Sequence, residues 1–231
     1  MTSTTKRLLT FFCAIPLLLT ASEQSRASSI SLPMTLEFSG ATAPVGSSPW
    51  LTPKFDDENT AGTVVLTVET TNLSGSEFVS GLYLNVDPSI DPADLNFSSP
   101  TKTGTFSNPS ILLSTDAYKA DGDGKYDILL QFSTSSGNEF GAGEEVEYTI
   151  TGVGSAAGLL ATDFVFLSAP AGGHGPFFAA AHVQSIGAGG DSGWIAPEPG
   201  LDPTSIPVPE PTSITLLSLG LILVAGKRRC H

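Results

Sequence analysis

The chain of 231 residues carries 23 acidic and 10 basic side chains, and this net charge of −13 argues against nucleic-acid binding, which needs a surplus of Lys and Arg. Only 14% of the residues are charged and 40% are apolar, which disfavours a mainly disordered chain, while 24 Gly and 17 Pro disfavour a helical bundle. Two cysteines, Cys13 and Cys230, are too few for a disulfide-stapled scaffold.

Residues 1–27 have the features of a secretory signal peptide. Lys6 and Arg7 form a positive start, an apolar stretch follows, and Ser-Arg-Ala at 25–27 puts small residues where signal peptidase reads them. An alternative cleavage site ends at Ala21. An uncleaved anchor is the other interpretation, and it is disfavoured because the apolar run is shorter than the about 20 residues of a bilayer span.

The pattern of residues 28–195 predicts an all-β domain, an antiparallel β-sandwich of jelly-roll type. Apolar and polar residues alternate in short runs that polar turn clusters separate, and no long helical run lies between them. The segment 177–184 fits either a strand or a single helical turn. The predicted strands are residues 34–39, 63–70, 78–86, 126–132, 145–150 and 163–167.

Residues 196–207 are rich in Pro and acidic residues, and we expect them to form an extended tether between the domain and a membrane. Domain and tether together hold four lysines, 21 acidic residues and no cysteine. A chain segment without thiols suits an oxidising exterior. Its net charge of −17 favours solubility and disfavours anionic partners.

The strongest pattern lies at residues 208–231. The motif Val208-Pro209-Glu210-Pro211 precedes an apolar stretch at 212–226, and the basic tail 227–231 contains Lys227, Arg228 and Arg229. The basic end should stay cytoplasmic under the positive-inside rule, so the domain lies across the membrane. As a transmembrane helix, the apolar stretch reaches about 22 Å against about 30 Å of hydrocarbon, which suits a temporary anchor better than a permanent one.

This order of motif, apolar helix and basic cluster resembles the PEP-CTERM sorting signal of Gram-negative bacteria. The resemblance implies processing by exosortase, a membrane-embedded enzyme similar to cysteine proteases, and an association with exopolysaccharide and biofilm formation. It implies a transient inner-membrane anchor with the domain in the periplasm, then a place at the cell surface or outside the cell. Segments 48–52, 75–79, 120–127 and 180–184 also resemble a recurrent, uncharacterised type of exported PEP-CTERM protein, which assigns no activity.

The sharpest motif within the domain is D-G-D-G-x-x-D at residues 121–127. Ca²⁺ takes six to eight oxygen ligands, and alternate aspartates in a glycine-rich loop can surround one ion. Asp121, Asp123 and Asp127 are therefore the candidate Ca²⁺ ligands. The match to an EF-hand loop is partial, because two usual ligand positions hold Lys and Leu. The alternative interpretation is an Asp-Gly hairpin turn with solvated acids.

Other residue types offer weaker candidates. The acidic clusters 56–58 and 144–147 could supply the two carboxylates of a glycosidase, although solvated acids are the simpler interpretation. His174 and His182 belong to no zinc or hydrolase motif. Aromatic residues could form a platform that stacks on sugars, with core packing as the alternative. They are Trp50, Tyr83, Tyr118 and Trp194.

Three hypotheses follow for the function. The first is a non-enzymatic, exported structural or adhesive protein of the surface or matrix, with exosortase, signal peptidase and exopolysaccharide as its partners. The second is a secreted carbohydrate-active enzyme on a jelly-roll scaffold, which needs convergent carboxylates in a cleft. The third is a glycan-binding module without catalysis.

Overall fold

A computed structural model describes residues 28–58 and 60–200. Within these ranges the chain forms thirteen strands and three short 3-10 helices, Pro92–Asp94, Gly154–Ala156 and Ala161–Phe164. The strands are β1 Ser29–Ser31, β2 Met34–Glu37, β3 Thr52–Asp56, β4 Thr63–Glu69, β5 Phe78–Leu84, β6 Leu95–Phe97, β7 Thr101–Thr103, β8 Ser110–Ala120, β9 Asp123–Gln131, β10 Phe140–Gly141, β11 Glu145–Gly152, β12 Ala179–Ile186 and β13 Asp191–Pro197.

The predicted signal peptide, the sorting motif and the apolar stretch at 212–226 lie outside the described residues. In the part of the chain that the structure describes, no helix has the length and apolar character to cross a bilayer.

The strands form two antiparallel sheets. The six-stranded sheet has the order β1-β3-β4-β11-β6, and β7 also pairs with β11. The seven-stranded sheet has the order β2-β13-β12-β5-β9-β8, and β10 also pairs with β5. The predicted all-β class with antiparallel sheets is confirmed, whereas this strand order does not establish jelly-roll connectivity.

The main core lies between the two sheets. Alternate residues of each strand point into it, and the residues between them point outward. Leu66 of β4 pairs with Tyr148 of β11 and both are buried, while the next pair, Thr67 and Glu147, faces outward. From the other sheet, buried residues such as Leu130 join the same cluster. Each large apolar side chain that is fully buried contributes about 1.5–3 kcal/mol, so this core supplies the main stabilisation.

Most of the predicted strands are present, and the exception is residues 163–167. That segment is not a strand, because residues Ala161–Phe164 form a 3-10 helix. The Asp163 carboxylate accepts a hydrogen bond from the Leu160 backbone N–H at 2.8 Å, which closes the turn. Phe164 is buried and stacks on Phe55 with centroids 4.4 Å apart, so its apolar character reflects core packing without a strand. The ambiguous segment 177–184 is mainly strand β12.

The domain also extends beyond its predicted end at residue 195. Strand β13 continues through Ala196 and Pro197, which are both buried and pair with Leu36 and Met34 of β2. The first two residues of the predicted tether therefore belong to the sheet.

Buried carboxylates connect the loops of this thiol-free domain. Glu77 is 1% exposed and accepts hydrogen bonds from the backbone N–H groups of Val45 at 2.7 Å and Ser74 at 2.8 Å. Glu144 accepts in the same way from Thr105 and Gly141, both at 2.8 Å. Hydrogen bonds to charged groups are about twice as strong as neutral ones, so each carboxylate holds two loop segments together.

Candidate functional site

The two outer faces of the sandwich differ in chemistry. The six-stranded sheet presents polar side chains such as Lys54 and Thr67, as is usual for the water-exposed face of an antiparallel sheet. The seven-stranded sheet instead carries half-buried rings on its three central strands, namely Tyr83 on β5, His182 on β12 and Trp194 on β13. We call these three residues the aromatic face. Grouped rings that stay partly exposed on one face of a sheet are a candidate contact surface.

Strand register brings the rings of the aromatic face together. His182 pairs with Trp194 across the ladder, and their rings stack with centroids 4.4 Å apart and planes 21° from parallel. The Tyr83 ring lies 5.5 Å from Trp194 and 5.8 Å from the buried Tyr126. Gly81 leaves room for this arrangement, since a Cβ there would lie 3.0 Å from Tyr83 Cε2.

A small polar network also holds the His182 ring, through its Nδ1 atom. Its Nδ1 lies 2.8 Å from Ser80 Oγ and 3.3 Å from Gln184 Nε2. Burial lowers the pKa of His182, although the negative charge of Asp121 acts in the opposite direction. The imidazole is therefore uncharged at neutral pH.

Two polar groups of the aromatic face lack a hydrogen-bond partner within residues 28–58 and 60–200. Among the described residues, nothing forms a hydrogen bond with the Tyr83 hydroxyl or with the Trp194 indole N–H. Burial raises the pKa of Tyr83, so its hydroxyl stays protonated and can both donate and accept. These groups are free to bind a ligand that offers hydroxyl groups.

The hairpin of β8 and β9 bends toward this face. Its ladder register shifts between Leu113 and Tyr118, near Asp116, which adopts a positive φ of 53°. Beyond the bend, Tyr118 packs in one cluster with Tyr83 and Ala180, and β8 contacts β12 although the two strands are not neighbours in the sheet. We call residues 116–127 the arm.

The tip of the arm is a two-residue hairpin turn. Ala120 pairs with Asp123, and between them Asp121 and Gly122 have φ values of 52° and 75°. Positive φ at both central residues is characteristic of a type I′ turn, for which Asp-Gly is a preferred sequence. The alternative interpretation of the D-G-D-G-x-x-D motif, a hairpin turn, is therefore what the structure shows.

The other two aspartates of that motif fasten the arm. Asp127 accepts hydrogen bonds from the backbone N–H of Val86 at 3.1 Å and of Asp116 at 2.8 Å, so it ties the bend to the end of β5. Burial raises the pKa of Asp127 more than these hydrogen bonds lower it. Asp123, which is 4% exposed, accepts from the backbone N–H groups of Gly173 and His174.

This arrangement bears on the predicted Ca²⁺ site. Asp121 is exposed in the turn, while the carboxylates of Asp123 and Asp127 bind backbone groups on different segments. Residues 28–58 and 60–200 contain no group of three or more His, Cys, Asp or Glu side chains that could hold a metal ion. The structure thus gives no support to shared coordination, and a Ca²⁺ titration tests the site that the sequence predicts.

The remaining candidates lie apart from one another. Trp50 is buried in the main core, where its indole N–H donates to the Gly46 carbonyl at 2.6 Å, so it is not part of a platform. The acidic clusters belong to the six-stranded sheet and its loops, with Asp56 ending β3 and Glu145 beginning β11. They do not border the aromatic face.

A groove of about 620 Å³ lies beside the aromatic face. Its walls include Leu36, Phe38, His174, Phe177 and the residues from Pro197 to Gly200. Leu36, Phe38 and Phe177 pack in the same cluster as Trp194, so the groove adjoins the aromatic face.

The sequence pointed to Tyr83 and Trp194 as sugar-stacking candidates and to His182 only as a histidine outside any motif, and it missed the polar network of Ser80 and Gln184. The alternation of Ala180, His182 and Gln184 was the available signal, since alternate residues of a strand share one face. The bend of the arm had no comparable signal, because it depends on a register shift and on contacts distant in sequence.

Residues 207–229 match the family model of the PEP-CTERM protein-sorting motif. The chain carries a PEP-CTERM sorting motif. The match includes the motif at 208–211 and the basic residues Lys227 to Arg229, as predicted. It identifies an exported protein that exosortase sorts and that is anchored in a membrane before cleavage. No curated protein and no solved structure matches the chain.

Proposed function

We propose that this PEP-CTERM protein is a non-enzymatic adhesive component of the cell surface or extracellular matrix that associates with exopolysaccharide. In this proposal the apolar stretch at 212–226 is a transient inner-membrane helix, with the domain in the periplasm. Exosortase then releases the domain to the surface or the matrix.

The observation that carries the adhesive role is the aromatic face. Aromatic rings that are grouped on one face and stay partly exposed are characteristic of a binding surface. The face combines rings that can stack on sugars with hydrogen-bonding groups that have no partner among the described residues. The strong negative charge of the domain keeps it soluble once it is released.

Fractionation of cells tests the sorting and the location. In a host with exosortase, the full-length chain should lose its tail and reach the surface or medium. In a matched host without exosortase, the uncleaved chain should collect in the inner membrane. Deletion of residues 208–231 should release the domain from the membrane in both hosts. If the deleted and full-length chains fractionate alike, the tail is not a sorting signal.

A second candidate is a carbohydrate-active enzyme, and the contact between Ser80 Oγ and His182 Nδ1 at 2.8 Å favours it. A serine beside a histidine is the minimal unit of an activated hydroxyl nucleophile. Such an enzyme would release acyl groups from esterified polysaccharide. Release of acetate from acetylated matrix polysaccharide that disappears in Ser80→Ala would replace the non-enzymatic proposal.

A further inference from the structure

We propose that the aromatic face and the adjoining groove form a binding site for a neutral polysaccharide of hexopyranose rings. The inference rests on the proposed function and adds to it the ligand class and the residues that bind it. Trp194 and Tyr83 contact the sugar rings, while His182 positions Trp194.

The rings are suited to stacking on a sugar. A pyranose whose hydroxyls are mostly equatorial exposes C–H groups on its two faces, and the electron-rich face of an aromatic ring attracts such groups. The imidazole of His182 stacks on one face of the Trp194 indole, its direct neighbour across the ladder, and so restrains the indole. Ser80 and Gln184 hold the imidazole in turn. A ring fixed in this way loses little entropy on binding.

The polar groups around the rings match the hydroxyls of a sugar. The Tyr83 hydroxyl and the Trp194 indole N–H lack partners among the residues that the structure describes, so a bound hydroxyl would satisfy them. At the tip of the arm, the exposed Asp121 carries an acceptor whose charge reaches His182. Stacking faces with polar groups at their margin are the usual composition of a small-ligand site.

The charge around the site favours a neutral polysaccharide over an anionic one. Two of the four lysines of the domain are engaged on the six-stranded sheet side, Lys54 with Asp56 at 3.4 Å and Lys102 with the Phe106 carbonyl at 2.7 Å. On the arm Asp123 and Asp127 are buried, so the remaining charges, Asp116 and Asp121 against Lys119 and Lys125, balance. The groove adds Glu37 and Glu198, which makes the proposed site negative overall. A polymer of uronic acids would meet a surface of its own sign.

Affinity electrophoresis and tryptophan quenching test the site on the purified secreted domain. The neutral probes are barley β-glucan, galactomannan and dextran, and the anionic probes are alginate and polygalacturonate. We expect at least one neutral polymer to retard the protein, and neither anionic polymer to do so. Trp50 is buried, so acrylamide quenching reports Trp194, and the bound polymer should reduce it. Retardation by no neutral polymer, or a stronger effect of alginate, overturns the proposal.

Substitutions locate the site. Trp194→Ala should weaken binding by about tenfold or more, and Tyr83→Phe by a smaller factor because the ring remains. The matched control is Thr67→Ala on the opposite outer face, which should bind as the unchanged protein does. If Trp194→Ala does not fold, two other measurements test the location of the site. They are the acrylamide quenching of the unchanged protein with and without polymer, and the affinity of Tyr83→Phe. Unaltered quenching or unaltered affinity in these measurements contradicts the site.

The sorting of these variants separates the two proposals. Trp194→Ala in the full chain should be cleaved and exported as the unchanged chain is, because the tail is intact. If the unchanged chain is sorted normally but binds no polysaccharide, the site is refuted and the sorting proposal stands. Failure of the unchanged chain to be processed refutes the proposed function whatever the domain binds in solution.

Discussion

The imidazole of His182 lies against the indole of Trp194, with centroids 4.4 Å apart and planes 21° from parallel. The two residues are direct neighbours across the ladder of β12 and β13. Because burial lowers the pKa of His182, the folded protein favours the uncharged imidazole in this stack. The geometry of the aromatic face is thereby coupled to the protonation of one residue.

The first prediction is a loss of stability in mild acid that depends on His182. Its pKa in the folded chain lies below the ordinary value of 6.5, so the unfolded chain takes up the proton first. The stabilisation is complete above pH 6.5 and declines as the pH falls toward the folded pKa. Urea unfolding at pH 7.5, 6.5 and 5.5 should show this decline, and His182→Gln should reduce it.

The control for this prediction is Thr67→Ala, which changes a residue without an ionisable side chain on the opposite outer face. The dependence of its stability on pH should match that of the unchanged protein. If His182→Gln leaves the difference between pH 7.5 and 5.5 unaltered, the imidazole does not couple to folding.

The second prediction concerns Asp127 as the fastener of the arm. Asp127→Ala leaves the backbone N–H groups of Val86 and Asp116 without their acceptor, and it should lower the free energy of unfolding by about 3 kcal/mol. Denaturant titration measures the loss. Hydrogen exchange should also become faster in residues 116–127 than in the main core.

Asp121→Asn is the matched control for this prediction. It changes an exposed aspartate of the same motif, and Asn-Gly also suits a type I′ turn. Its stability should stay within about 0.5 kcal/mol of the unchanged protein. A loss for Asp127→Ala that is equally small would show that the two hydrogen bonds do not fix the arm.

The third prediction is that Ca²⁺ does not stabilise the domain through the D-G-D-G-x-x-D motif. The carboxylates of Asp123 and Asp127 bind backbone groups on different segments, and the described residues bring no three acidic side chains together around one point. We expect the melting temperature to be the same with millimolar CaCl₂ as with EDTA. If CaCl₂ raises the melting temperature of the unchanged protein but not that of Asp121→Asn, the arm contains a Ca²⁺ site.

The fourth prediction is that Tyr148→Phe stabilises the domain. Tyr148 is 2% exposed, and its hydroxyl has no hydrogen-bond partner among the described residues. Removing this group relieves its desolvation cost, so we expect a gain of about 1 kcal/mol, with the ring contact to Phe97 kept. The control is Tyr126→Phe, whose hydroxyl interacts with Ser168 and whose loss should destabilise. Equal losses for both variants would contradict the prediction.

Local patterns in the sequence predicted the strands in which apolar and polar residues alternate. Strand β4 follows the rule that alternate residues point inward, so the prediction of 63–70 is close to Thr63–Glu69. Strand β8 was missed because its residues are largely exposed and its register is broken before Tyr118. The turn at Asp121 was predictable as an alternative, since Asp-Gly has a local conformational preference.

The aromatic face could be predicted only in part. Trp50 and Trp194 are the same residue type and were equal candidates for a sugar-stacking platform. The structure places Trp50 in the main core and Trp194 on the outer face. Long-range register decides between the two places, and a single sequence does not contain it. The sorting motif was predictable because its three parts follow one another along the chain.

The strand that carries Trp194 is also the one from which the chain continues toward the sorting motif. Tension on an anchored precursor would therefore enter the sheet at Pro197 and run along β13. That strand pairs with β12 on one side and β2 on the other. A force along β13 would therefore load the hydrogen bonds to both neighbouring strands together, in shear, instead of breaking them one after another. A precursor that bound polymer at Trp194 before cleavage would have its polymer contact and its membrane attachment on the same strand.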